Sequence, residues 1–355
     1  MKIGILTHQY INNYGAFLQA YALREAVAEM FPNDNVEIIN YINFKHFIIN
    51  TCGWYRFYKD RETFDAWKQK IKIPRTFSKT RKKQMNMSRL CFTANQVNKL
   101  RYDCILVGSD EVWNFKDKKS NNPIKFGIGL NCRKLIAYAP SVGKSKYSDE
   151  LPDYVIEGLK KFKSISARDD LTFELATKVV GEEPTRVLDP TFLHNFPIEK
   201  SKIPNKPYIL FYYCDDLPIS IKDQILKYAY DNDLYVYGAG ECDKQYSSVT
   251  VNLNPFEWVD MFRNAEYVFT GTFHGAVFSI LNNRQFSVYL TNESRIRKVR
   301  ALLKELKIEN REINEEFTFN LHSKDNLINY SEVNEIVNKR RNESLEYLRE
   351  NIDYK

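Results

Sequence analysis

The segment Tyr267-Val268-Phe269-Thr270-Gly271-Thr272-Phe273-His274-Gly275-Ala276-Val277-Phe278-Ser279-Ile280-Leu281 runs from an apolar strand through a short glycine-flanked turn into an apolar helix. In a sheet of parallel strands such a turn lies at the carboxyl end of a strand and the amino end of the next helix. Backbone N–H groups and the helix dipole favour anions there. His274 stands in this turn, and a histidine so placed can donate to an anion or move a proton. The plainer alternative is a histidine that only caps or packs an ordinary strand-to-helix turn.

The same strand-to-helix order recurs along the chain. A buried strand over 2–7 ends in a polar loop over 8–13. A helical apolar pattern follows from Tyr14 to Met30, and a second strand covers 36–41. Strand, helix, strand in that order begins a parallel, doubly wound sheet. Residues 54–99 are polar, basic and helical in pattern, broken at Pro74. Further strands are expected over 104–107, 135–139 and 164–168, and Val187-Leu188-Asp189-Pro190-Thr191 closes this half. A polar linker covers 194–207. The second half repeats the order, with strands over 208–213, 234–237, 267–269 and 286–290 and helices over 219–230 and 255–264. Helices over about 295–307 and 332–351 end the chain. The expected fold is α/β, two Rossmann-like open-sheet domains in the GT-B-like arrangement, with a helical insertion in the N-terminal domain. The expected boundaries are 1–193 (insertion about 54–99), 207–330, and a C-terminal helix within 331–355 packing back on the N-terminal domain.

Composition narrows the partners. A chain of 355 residues suggests about two domains, and 43% hydrophobic residues supply a packed core. Aromatic content is 14%, with 23 Tyr and 23 Phe, most of which are read as core. The net charge of +7 favours an anionic partner. Much of the excess lies between Arg56 and Lys99, including Arg81-Lys82-Lys83, and a solvated helical face is its plain account. Cysteines at 52, 91, 104, 132, 214 and 242 form no C-x-x-C pair and show no metal-ligand spacing with histidine. They read as reduced thiols. No apolar run approaches the ~18–20 residues of a membrane span, and no signal peptide is apparent. The expected location is therefore cytoplasmic, with any membrane contact peripheral at the inner face.

Polar residues gather just after the predicted strands. His8, Asn12, Asn13 and Tyr14 follow the first; Ser109, Asp110, Trp113 and Asn114 follow the one ending at Val107. Arg168 and Asp189 end two more, His274 follows Phe269, and Arg295 follows Leu290. Such a distribution points to a crevice of convergent polar groups. Arg168, His274 and Arg295 would offer positive charge to a small substrate carrying carboxylate and phosphate. For Arg168 the competing reading is an ion pair with Asp169 or Asp170; for Arg295 it is an exposed helix start. Asp110 could serve as general base on a sugar hydroxyl, or simply as an N-cap or turn former. Trp113 could stack on a sugar ring or pack in the core. Asp189, before Pro190, is most simply a turn former. The chain has no phosphate-binding G-x-x-x-x-G-K-[ST] and no complete G-x-G-x-x-G; Gly238-Ala239-Gly240 is only a fragment.

Five segments together resemble the polysaccharide pyruvyltransferases, in which they occur in the same order. They are Thr7-His8-Gln9 with Asn13-Tyr14-Gly15-Ala16-Phe17-Leu18-Gln19-Ala20-Tyr21-Ala22-Leu23, Val107-Gly108-Ser109-Asp110-Glu111-Val112-Trp113-Asn114, Ser166-Ala167-Arg168-Asp169, Leu188-Asp189-Pro190-Thr191, and Thr272-Phe273-His274-Gly275. The resemblance implies transfer of a pyruvyl group from phosphoenolpyruvate to a sugar, forming a cyclic ketal and releasing phosphate. It implies a donor-binding C-terminal domain and an acceptor-binding N-terminal domain. Arg168 and His274 would bind phosphoenolpyruvate and Asp110 would be the candidate base. His8, Asn13, Tyr14, Gln19, Ser109, Trp113, Asn114, Thr272 and Arg295 would complete the substrate-binding set. Many members carry Arg-Leu-His where this chain has Thr272-Phe273-His274, and Arg295 is the candidate substitute for that arginine. No cofactor or metal is expected. The expected partners are phosphoenolpyruvate and a glycan or lipid-linked saccharide, with no nucleic acid. The alternatives are a GT-B glycosyltransferase using a nucleotide sugar and a non-catalytic glycan-binding relative.

Overall fold

The strands of this chain are short, and the central ones are covered on both faces. Lys2–Leu6 (β1), Asn35–Ile38 (β2), Cys104–Val107 (β3), Lys134–Ala137 (β4), Ser164–Ala167 (β5) and Thr185–Arg186 (β6) form one wholly parallel sheet in the order β2-β1-β3-β4-β5-β6. In the computed structural model, residues 1–58, 62–119, 121–199, 204–214, 216–319 and 327–353 are described. Within the linker expected over 194–207, residues 200–203 lie outside the described residues. Side chains alternate across a strand, so β3 feeds two cores. Ile105 and Val107 join Trp113 and Phe126 on one face, while Cys104 and Leu106 join Leu23 and Val27 on the other.

Helix Tyr14–Met30 (α1) connects β1 to β2. Its N-cap is Asn13, whose side chain accepts from the Ala16 N–H at 3.0 Å. The strand expected through Tyr41 ends at Ile38, where the pairing passes to a neighbouring loop. The Ile38 N–H donates to the Asn86 carbonyl (2.8 Å) and the Ser88 N–H to the Ile38 carbonyl (2.9 Å). Among the described residues the α-helices between β2 and β3 are Phe44–Cys52 (α2), Phe64–Lys70 (α3), Ile73–Gln84 (α4) and Ala94–Asn98 (α5). Asp153–Leu159 (α6) and Asp170–Val180 (α7) complete the crossovers of this sheet.

The second sheet holds Tyr208–Tyr212 (β7), Tyr235–Gly238 (β8), Tyr267–Thr270 (β9) and Gln285–Val288 (β10), all parallel, in the order β10-β9-β7-β8. Helices Ile219–Asp231 (α8), Pro255–Arg263 (α9), Phe273–Leu281 (α10) and Glu293–Glu305 (α11) accompany it. Ile209, Phe211 and Phe269 meet Ile221 and Ile225 of α8 on one face. On the other side of this unit an aromatic core forms, with the Trp258 ring 5.0 Å from Tyr212 and 5.1 Å from Phe278. The α/β class read from element order is the class observed: two open parallel sheets.

The chain separates into two units, one of Met1–Gly53, Lys79–Asn195 and Asn338–Lys355, the other of Trp54–Ser78 and Phe196–Val337. The helical segment expected over 54–99 is thus shared between them. Lys79 onward stays with the first sheet. Trp54–Ser78 belongs to the second unit, where Gln69 donates to the Val249 carbonyl (3.1 Å) and Thr76 donates to the Asn252 side chain (2.7 Å). The last helix, Tyr330–Ile352 (α12), is shared as well. In the first unit the Tyr347 hydroxyl donates to the Ala137 carbonyl (3.0 Å) and Ser344 accepts from the Leu188 N–H (2.9 Å). Leu348 and Ile352 are fully buried there. Leu348→Ala should lower the unfolding free energy by about 2–5 kcal/mol, as for other core leucines. Urea denaturation followed by circular dichroism measures it, and an unchanged midpoint would contradict this packing.

Candidate functional site

Each sheet changes its direction of growth beside its first strand. From β1 the chain goes to β2 on one side and returns to β3 on the other; β7, β8 and β9 repeat the pattern. Loops leaving such neighbouring strands diverge and open a crevice at their carboxyl ends. In the first unit the loop after β1 and the loop after β3 are tied together across this point. Thr7 donates to the Ser109 carbonyl (3.1 Å), the Ser109 N–H donates to Gln19 (3.2 Å), and His8 Nε2 lies 3.4 Å from the Glu111 carbonyl oxygen. Gly108 has φ +123°, and a Cβ there would stand 2.1 Å from the Tyr138 carbonyl oxygen, so only glycine fits. Two residues on, Asp110 has φ 73°, a left-handed conformation that Asp tolerates better than most side chains. Its carboxylate keeps 20% exposure and accepts from the Glu111 N–H at 2.8 Å.

Several expected substrate ligands instead build this loop. Gln19 also donates to Thr7 (3.0 Å) and to the Ala16 carbonyl (2.9 Å), and it is fully buried. Ser109 donates to the Ala139 carbonyl (3.0 Å). Trp113 donates to the Lys125 carbonyl (2.8 Å) and stacks on Phe126 with ring centroids 5.8 Å apart. These three support the crevice from beneath, because their polar groups are already used inside. Asn114 is buried between Glu111 (3.3 Å) and Ser145 (3.0 Å), and Tyr14 is buried in α1. Asn13 is exposed but its side-chain oxygen caps α1. Asn12 is buried and accepts from Arg81 at 2.9 Å. Arg81 is therefore not part of a solvated basic face, unlike its neighbours Lys82 and Lys83, which are exposed. Burial lowers its pKa to about 10.

Arg168 pairs with neither Asp169 nor Asp170. Asp169 caps α7 through Thr172 (2.9 Å), and Asp170 meets Arg186 (2.8 Å). The Arg168 guanidinium binds Asp189, whose other oxygen accepts from the N–H (3.0 Å) and hydroxyl (2.7 Å) of Thr191. Asp189 is thus a turn former and a buried counter-ion at once. A second guanidinium nitrogen lies 4.0 Å from Asp110. Burial opposes the charge on Arg168, but Asp189, then Asp110, Asp169 and Glu111, raise its pKa above the ordinary value. Arg168 and Asp110 are brought together as expected of a site, with the arginine's charge already met by carboxylates.

A cluster that the sequence did not disclose lies under the same loops. Lys125 is fully buried, with its amine 2.6 Å from His8 Nδ1. His8 packs edge-on to His46 at 5.4 Å, and His46 Nδ1 shares a hydrogen bond of 2.9 Å with the Tyr10 hydroxyl. Burial first, then the charge of Lys125, holds His8 well below the usual histidine range and His46 down to about 4. Burial likewise lowers Lys125 to about 7, against the pull of Asp110. The only signal for Lys125 in the sequence is its place between Ile124 and Phe126.

In the second unit the corresponding crevice is formed by Tyr213 after β7 and Gly271-Thr272 after β9. A Cβ on Gly271 would lie 2.4 Å from the Tyr213 carbonyl oxygen, and one on Gly275 would lie 2.0 Å from Thr270 Oγ1. Both glycines are required by close approach. Thr272 is the N-cap of α10, accepting from the Gly275 N–H at 3.0 Å. His274 follows in the first turn, partly exposed, its ring 5.4 Å from Phe273. Arg295 is exposed near the start of α11, with its guanidinium 5.7 Å from the Tyr213 ring centroid. Thr272, His274 and Arg295 therefore all sit at the carboxyl ends of β9 and β10.

The family model described as polysaccharide pyruvyl transferase matches residues 13–293. None of the curated proteins matches the chain in sequence. Among solved structures, the chain is similar to the glycosyltransferase SnogD from Streptomyces nogalater, with 11% identity over 97% of this chain and 94% of that one and a TM-score of 0.43. It is also similar to ADP-heptose LPS heptosyltransferase II of E. coli, with 10% identity over 96% and 99% and a TM-score of 0.42. The glycosyltransferase SsfS6 of Streptomyces sp. SF2575, complexed with thymidine diphosphate, gives 9% identity over 97% and 95% and a TM-score of 0.41. Likeness at this level assigns no role to any residue. No described helix is long and apolar enough to cross a membrane.

The buried amine sets a pH dependence of stability. Lys125 titrates near 7 in the folded protein against 10.5 as the ordinary value. Between these limits the unfolded chain binds the extra proton, so this residue's contribution to stability rises with pH. Below that window its desolvation penalty is fully present; above it the penalty is gone. Thermal melts of Lys125→Met and wild type, compared from pH 6 to 10, should show the variant's relative advantage shrinking as pH rises. A difference independent of pH would refute the lowered value.

Proposed function

The chain belongs to the polysaccharide pyruvyl transferase family, and from that premise we propose that it moves a pyruvyl group from phosphoenolpyruvate to two hydroxyls of a sugar, in a surface polysaccharide or its lipid-linked precursor. The observation that carries this reading is Asp110. It is an aspartate held in a left-handed conformation at the β1–β3 crevice, partly exposed among buried neighbours, with Arg168 at 4.0 Å. A carboxylate so held, within hydrogen-bond reach of an incoming hydroxyl, suits a general base.

The reaction proceeds in balanced steps. The methylene carbon of phosphoenolpyruvate takes a proton, leaving an oxocarbenium-like centre at the adjacent carbon. A sugar hydroxyl attacks it and gives its proton to Asp110. The C–O bond to phosphate breaks, and the second hydroxyl closes the ketal. Of the two hydroxyl protons, the balance places one on the new methyl group and one on the departing phosphate. His274 is the donor-side residue in this reading, delivering the proton or assisting the phosphate. Thr272 holds its turn through the cap on α10. Arg295, exposed and with no buried counter-ion among the described residues, supplies the donor's positive contact in place of the arginine that many members carry at position 272. Arg168, bound to Asp189, serves here to orient Asp110 rather than to grip a free anion.

Calorimetric titration with phosphoenolpyruvate should show binding that weakens about 10-fold or more in His274→Ala, the loss of one charge-assisted contact. Phosphate release in the presence of acceptor glycans should vanish in Asp110→Asn while donor binding persists. Binding of nucleotide sugars but not phosphoenolpyruvate would overturn the reading in favour of a glycosyltransferase.

We also propose peripheral contact with an anionic lipid surface through the second unit. Phe57, Tyr58 and Phe64 are 40%, 45% and 58% exposed. Phe64 stacks on Trp67 with centroids 5.6 Å apart, and the Lys68 amine lies 4.4 Å above its ring. Aromatic side chains bordered by cations suit the headgroup region. Wild type should float with liposomes containing phosphatidylserine, and Phe57→Ser with Phe64→Ser should reduce that fraction severalfold. Equal flotation of the two proteins would sink the idea.

A further inference from the structure

Burying a lysine amine is costly, and an apolar side chain of equal length would fill the same space at less cost. Lys125 is nevertheless held in place from several directions. Asn122 caps the short helix Pro123–Phe126 by accepting from the Ile124 N–H (3.3 Å), Trp113 binds the Lys125 carbonyl (2.8 Å), and Phe126 stacks on the same indole. Its amine then meets His8 at 2.6 Å. The geometry fixes the tautomer of that ring. The amine lies near both ring nitrogens, Nδ1 at 2.6 Å and Nε2 at 3.3 Å. Because Nε2 also faces the Glu111 carbonyl oxygen at 3.4 Å, which can only accept, Nε2 carries the proton and Nδ1 is the nitrogen with a lone pair for the amine. Glu111 is the residue next to Asp110, whose carboxylate accepts from the Glu111 N–H.

We propose that Lys125 is a positioning residue for pyruvyl transfer: by donating to Nδ1 of His8 it fixes the ring with its proton on Nε2, and the ring pins the Glu111 backbone so that Asp110 is presented to the crevice. This rests on the reading of Asp110 as the base. The charged and titratable groups acting on this network come from every neighbouring element. His8 follows β1, His46 lies in α2, Asp110 and Glu111 follow β3, and Asp117 and Lys119 lie farther along the same loop. Asp110 favours the ammonium form of Lys125, and the ammonium disfavours protonation of both histidines. Below about pH 7 the cluster therefore carries one positive charge, on the amine, with both rings neutral; above it the amine is neutral as well and remains a donor to Nδ1.

The test is long-range proton–nitrogen correlation of the histidine rings from pH 5.5 to 8.5, in the intact chain and without substrate. Wild-type His8 should appear as the single neutral Nε2–H tautomer throughout. In Lys125→Met the His8 and His46 midpoints should both move upward and His8 should lose its single tautomer; Lys125→Arg, which keeps donor and charge, should hold them down. Turnover of Lys125→Met should fall about 10-fold or more in kcat, as for a misplaced catalytic group, with the KM for phosphoenolpyruvate unchanged. Ring spectra unaltered in Lys125→Met, or a wild-type His8 protonated on Nδ1, would overturn the proposal, as would altered spectra with unaltered kcat. Undiminished turnover in Asp110→Asn would mean instead that the assignment of the base is wrong, which the ring spectra do not depend on.

Discussion

The polar chemistry of this chain depends on one constraint, the flanking of the first strand of each sheet by the second on one side and the third on the other. Parallel strands need long crossovers, and the reversal beside β1 and β7 sends successive crossovers in opposite senses. The loops at their carboxyl ends cannot cover that point. Gly108 and Gly271 are the local expression of this constraint. Each brings its loop so close to a neighbouring carbonyl that a Cβ would collide, at 2.1 Å and 2.4 Å. What the first unit places around Gly108 is a partly exposed carboxylate, an arginine and a buried amine. What the second places around Gly271 is a capped helix start, a histidine and an exposed arginine.

Much of this was legible because it is written in apolar runs. Cys104–Val107 is buried at every residue, and a short β-branched-rich apolar run ending at a Gly-Ser turn reads as a strand covered on both faces. The positions of His8, Asp110, Arg168, Thr272, His274 and Arg295 after strands followed from that reading alone. What the polar residues touch was less legible, because those contacts cross between elements. Arg168 sits beside Asp169 in sequence, yet its partner is Asp189, brought near by the parallel pairing of β5 with β6. Gln19, Ser109 and Trp113 look like ligands in a motif and are fully buried supports in the fold. Arg81 reads as part of a basic run and lies under the loop that follows β1. Lys125 had no sequence signal beyond its apolar neighbours, since burial of a single lysine depends on a tertiary partner.

Thr272 shows how one position can carry two competing demands. As the N-cap of α10 it accepts the Gly275 N–H, which an arginine, having no acceptor in its side chain, cannot do. An arginine there would add charge to the crevice and leave that N–H to be met in another way. In this chain the turn is held by the threonine, and positive charge stands instead on Arg295, reached from β10. The residue that shapes the turn and the exposed positive charge are thus different side chains. Arg295 is an exposed side chain over Tyr213, whereas a residue within the turn is bound to the helix axis. The rigidity of this half therefore lies in its backbone and its adaptability in one long side chain. The first unit makes the opposite arrangement: there the cations, Arg168 and Lys125, are buried and fixed by partners, and the carboxylate between them is the group left partly open to solvent.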